Sequence, residues 1–220
     1  MSHARPARAE RAERLEHVRR PPGRCRVLGV AAMVGLIVLG TGGAAAAEVV
    51  AVVDHRHDVW EAFYSDDGEL LGWDQVGSRE NTNITSTQVR HQLRRVVITT
   101  RFVSLRKDSA VLFPGLKHQI RLDDGTVLAA AVTLDPMPAG TAVLQDPETG
   151  SVECDGLAHR VDYQSDTVLV TIPRRCLSWP DWLRVNTVAR SEDSSNRFFK
   201  DVGDRPGHGV GGFTRRLSAA

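Results

Sequence analysis

The stretch 167–176, TVLVTIPRRC, limits the fold of this chain more than any other. Val168, Val170 and Ile172 alternate with Leu169 and Thr171, which is the period-two pattern of a strand with one buried face. Pro173 ends the ladder because it has no N–H to donate. Cys176 follows almost at once, and the nearest upstream cysteine is Cys154. In an oxidising compartment an even pair of thiols reads as a disulfide, so Cys154 and Cys176 are expected to be joined. Neither has further thiols or a closely spaced histidine for a metal site.

The compartment is argued from the N-terminus. Residues 1–26 carry eight arginines against three glutamates. An apolar run follows over 27–39, then Gly40-Thr41-Gly42-Gly43 and four alanines. A basic region, an apolar core and small residues, in that order, make a secretory signal. The cut is placed after Ala47, so 1–47 is read as a signal peptide and Glu48 opens the exported part. The alternative is an uncleaved membrane anchor, because 27–47 carries no charge over 21 residues. Glycine and alanine fill its second half and gain little from lipid, so cleavage is preferred. The pair Arg19-Arg20 is compatible with twin-arginine export, without the surrounding consensus. The expected location is secreted or cell-envelope. The alternative is a membrane-anchored chain with 48–220 outside.

After residue 47 there are 20 basic and 24 acidic residues, and all twelve aromatics. No basic tract remains, so nucleic acid is not an expected partner. The length suits one domain. The division is 48–200 for that domain and 201–220 for a flexible tail, since 204–212, DRPGHGVGG, is polar and glycine-rich.

Alternation places strands at 59–64, 84–91, 95–105, 117–122, 126–134, 142–145, 157–163, 167–172 and 182–189. Segments 48–53 and 70–76 are weaker candidates. The run 95–105 is the longest, and its β-branched content argues against helix. Asp123-Asp124-Gly125 is a hairpin turn, and Phe113-Pro114-Gly115 another turn. Leu177 to Asp181 reads as a tight corner or one helical turn. Many short strands punctuated by Gly, Pro and Asp, without a long amphipathic helix, predict an all-β fold. The expected architecture is a single antiparallel two-sheet β-sandwich of about eight to ten strands.

One segment resembles known proteins most closely: Ile172-Pro173-Arg174-Arg175-Cys176-Leu177 followed by Pro180 and Arg184-Val185. With Cys154, the run 84–91 and the strand opened by Arg95, it resembles a group of small, uncharacterised secreted β-sandwich proteins of actinobacterial type. The resemblance covers most of 58–190. It implies export, a sandwich and the disulfide, and carries over no activity and no catalytic residue.

There is no G-x-S-x-G, H-E-x-x-H, phosphate-binding glycine loop or dinucleotide fingerprint. No catalytic residue and no cofactor is assigned. Asp54-His55-Arg56-His57-Asp58 groups two carboxylates with two imidazoles that could hold a metal, but a polar turn or an N-terminal lead-in at the surface is the preferred reading. Asp54 with Asp58, or Asp66 with Asp67, are where a structural calcium would be sought. No twelve-residue calcium loop is present, and no metal site is assigned. His91 and Arg101 read as ordinary surface groups.

Trp60, Trp73 and Trp179 are the candidate ligand-binding residues, because outward tryptophans on a sandwich stack on sugar rings or anchor partners. Core filling is the competing role for each. The functional expectation is a non-catalytic secreted or envelope-associated binding domain, with an extracellular glycan or cell-wall ligand ahead of a protein. The alternatives are an extracellular hydrolase of unidentified site and a purely structural surface protein.

Overall fold

A computed structural model describes residues 47–107, 111–134, 139–204, 207, 209 and 211–220. The signal expected over 1–47 lies outside them but for its last residue, as does most of the loop expected at 135–140. Among the described residues no helix is long and apolar enough to cross a membrane.

The chain forms β1 (Glu48–Val53), β2 (Val59–Tyr64), β3 (Leu70–Gly77), β4 (Ile84–His91) and β5 (Arg95–Phe102). Then come β6 (Val111–Leu122), β7 (Val127–Thr133), β8 (Thr141–Asp146), β9 (Gly150–Val152), β10 (Ala158–Asp162) and β11 (Thr167–Pro173). A 3₁₀ turn, Arg174–Leu177, leads to β12 (Trp182–Asp193), β13 (Phe198–Val202) and β14 (Leu217–Ser218). Two antiparallel sheets result. The smaller is ordered β1-β4-β5-β11-β10; the larger runs β3-β2-β13-β12-β6-β7-β8-β9, with β14 also on β12. The fold is all-β and resembles a sandwich. It has more strands than the eight to ten expected, because short segments such as β9 and β14 hold too few residues to show a period.

Both sheets give their alternate residues to one core. In β5 and β11, Val96, Ile98, Val168, Val170 and Ile172 are fully buried; from the larger sheet come Leu116, Ile120, Leu183 and Val185. Removing a Leu or Ile side chain of this kind from water stabilises by about 1.5–3 kcal/mol. Strand β11 pairs with β5 as Val168↔Thr100, Val170↔Ile98 and Ile172↔Val96, so three expected apolar positions meet one neighbour in register. Cys154 and Cys176 are bonded, with S–S 2.09 Å and Cα atoms 5.5 Å apart. The bond ties the 3₁₀ turn after β11 to the segment before β10.

Two imidazoles are fully buried, His91 and His118. His118 of β6 is fully buried, and its Nδ1 shares a 3.0 Å hydrogen bond with Thr187 Oγ1. Burial alone pushes its pKa down to about 3, because the charged form would lose its hydration.

Four expectations need correction. Phe113-Pro114-Gly115 does not turn the chain; β6 runs through it. The β6–β12 register shifts between Arg190 (opposite Gly115) and Glu192 (opposite Leu112), and this bulge accommodates a proline that cannot donate. His91 is not at the surface: it is fully buried, with Nδ1 3.0 Å from Leu217 O. The described part of 201–220 is not a loose tail. Thr214 N donates to Val185 O, and Leu217, fully buried, pairs with Leu183. The segment 54–58 is not a wholly surface turn, because both of its carboxylates are buried.

Candidate functional site

The larger sheet has one face on the core and one facing away. In β12, Val185, Thr187 and Ala189 face the core, so Asn186, Val188 and Arg190 face outward. Register carries that outer face across the neighbours: Arg190↔Lys200, Lys200↔Trp60, Phe198↔Ala62 and Ala62↔Trp73. Aromatic and cationic side chains therefore share one surface.

There they form a groove of about 250 Å³ lined by Tyr64, Trp73, Arg190, Ser191, Phe198, Phe199 and Lys200. Tyr64 and Phe198 stand edge to face, with centroids 5.6 Å apart and planes at 70°. Both are exposed, at 45% and 41%. Lys200 Nζ lies 5.8 Å from the Trp73 ring centroid. Its pKa is lowered, first by burial and then by the Arg190 charge. A smaller hollow shares Arg190 and Lys200 and adds Lys117, Gln119, Asn186 and Val188, extending the surface along the strands. Among the described residues, no histidine or carboxylate lines either depression.

The three candidate tryptophans are not brought together. Trp73 lines the groove. Trp60 is half-buried on the same sheet face, opposite Gln75 and Lys200, and does not line it. Trp179 is 55% exposed in the corner before β12, with the Arg174 guanidinium 5.5 Å from its ring. Sequence reading missed Tyr64 and Phe198 as groove residues. The available signal was the alternation Trp60, Ala62, Tyr64 in β2, which points an aromatic outward at the strand end.

A second cluster lies where the chain crosses from the smaller sheet to the larger. Asp54 follows β1, Asp58 precedes β2, and Asp201 is in β13; one carboxylate oxygen from each lies within 4.8 Å of the others. They are 6%, 3% and 1% exposed, while His55, Arg56 and His57 between the first two are exposed. Asp201 accepts from Ile84 N at 2.6 Å and Val202 N at 2.7 Å, and Asp54 Oδ1 accepts from His55 N at 2.8 Å. Burial, then the charges of Asp201 and Asp58, pushes Asp54 up to about 8. Burial pushes Asp201 up to about 7, and raises Asp58 too. The other calcium candidates, Asp66 and Asp67, sit exposed in the β2–β3 turn, where Ser65 Oγ donates to Asp67.

Compared with known proteins, the chain matches no family model, no curated protein and no solved structure.

Proposed function

We propose that this protein is a non-catalytic binding domain, exported to the cell surface or beyond, that takes a glycan or cell-wall polysaccharide on the outer face of its larger sheet. The observation that carries this reading is the groove of Tyr64, Trp73 and Phe198 beside Arg190 and Lys200. Aromatic faces stack on the C–H faces of sugar rings, and flanking cations and amides hydrogen-bond hydroxyl or acidic substituents. Among the described residues the lining lacks the carboxylate pair that glycoside hydrolysis uses, which favours binding over the hydrolase alternative. The exposed apolar rim of Phe63, Leu70 and Leu71 on the same hairpin favours a protein partner as the second reading. Export is supported by the order of residues 1–47 and by the disulfide.

The test is a pull-down on polysaccharide and cell-wall fractions with the wild type, Trp73→Ala, Phe198→Ala and, away from the groove, Trp179→Ala. Loss of a stacking anchor should cost at least ~1 kcal/mol, about fivefold in affinity, at the first two positions only. Retention by no fraction, with the fold intact by circular dichroism, would sink the glycan reading.

A further inference from the structure

We propose that Asp54, Asp58 and Asp201 bind one hard divalent cation of the calcium class, clipping the β1–β2 crossing to β13. The first ground is convergence: three carboxylates from three places in the chain put one oxygen each within 4.8 Å of the others. The second ground is Asp58 itself. It is 3% exposed, and neither of its carboxylate oxygens has a hydrogen-bond partner among the described residues. Asp54 Oδ2 is likewise buried without a partner. A buried carboxylate with no donor is costly unless something else satisfies it. A shared cation would give the buried carboxylates of Asp54 and Asp58 the partner they lack.

The donor set selects the kind of ion. All three ligands are carboxylates, and the nearby imidazoles of His55 and His57 are exposed, outside the cluster. All-oxygen sites suit hard ions rather than zinc or copper. Calcium tolerates an irregular shell completed by water, whereas magnesium demands a near-ideal octahedron. The site does not overlap the groove lining, so its fate and that of the glycan reading are separable.

Purified protein, stripped with a chelator, would be titrated with calcium, magnesium and manganese. Isothermal calorimetry would report stoichiometry and thermal unfolding would report linkage. One equivalent of calcium is expected to bind, raising Tm by about 5–10 °C at a hundredfold excess over Kd. Asp58→Asn should abolish both signals. Asp58 accepts no side-chain hydrogen bond among those described, so this variant removes a charge without removing a cap; Asp201→Asn, which caps Ile84 and Val202, is the second variant. Absence of heat and of any Tm change with all three ions would overturn the proposal. So would an undiminished calcium response in a folded Asp58→Asn protein, or a stronger response to magnesium than to calcium.

Discussion

His118→Leu should flatten the acid limb of the stability profile. In the folded protein His118 is fully buried, and its pKa stands at about 3 against 6.5 for the free side chain. Below 6.5 the unfolded chain takes up a proton on this ring that the folded chain refuses until about pH 3. Stability is therefore complete above 6.5 and falls with pH through that window, because the unfolded state binds more protons. Each pH unit costs about 1.36 kcal/mol, so going from about pH 7.5 to about pH 4.5 removes ~2.6 kcal/mol through this residue. Leucine has similar bulk and no titrating nitrogen. It also forfeits the 3.0 Å bond to Thr187 Oγ1, which lowers the whole curve without changing its slope. Urea unfolding at several pH values, wild type against variant, gives the difference directly, since all other titrating groups are shared. The expected result is a ΔΔG that shrinks by ~2.6 kcal/mol from the neutral to the acid end. Parallel curves over that range would refute the claim that the ring stays neutral in the core.

Two further outcomes follow from the corner after β11. Replacing Cys154 and Cys176 by serine opens a loop with a sequence separation of 22, which should lower stability by about 3 kcal/mol in urea unfolding. A loss below ~1 kcal/mol would mean that the corner is held without the bond. Arg174→Met should cost about 2–3 kcal/mol, because the buried guanidinium donates to Leu93 O at 3.0 Å and Pro180 O at 2.5 Å and methionine leaves both carbonyls unserved. An unchanged unfolding midpoint would show that those carbonyls find water instead.

What the residue order made legible was the centre of the smaller sheet. Val96, Ile98, Val168, Val170 and Ile172 alternate in sequence and are buried in the structure, because a strand with a single buried face must place every second side chain inward. The Asp123-Asp124-Gly125 hairpin was legible too, with Gly125 at φ 92° where a side chain would be strained. Pro114 was misread because its place in β6 depends on a bulge set by the partner strand, which local chemistry does not show. Leu217 and Ser218 pair with β12 over two residues, too few for any period to register. The site was less legible than the fold. Asp54 and Asp58 stand out in the sequence, but which way their carboxylates point is settled by the crossing between sheets. Asp201 enters only through β13, where the buried alternation of Phe199 and Asp201 is the one available hint. Tyr64 and Phe198 likewise meet only because β13 pairs with β2.

The ends of the described chain close on each other. Glu48, opening β1, accepts from Ser218 N at 2.6 Å and from Arg215, while Ser218 pairs with Trp182 at the start of β12. Phe198, by contrast, sits opposite Glu192 near the far end of the same strand. Ten residues of β12 separate the two levels, about 30 Å at strand rise. Glu48 and Ser218 thus lie at one end of β12, and Phe198 lies at the level of its other end. A label attached at Glu48 or Ser218 would therefore start about 30 Å along β12 from the level of Phe198.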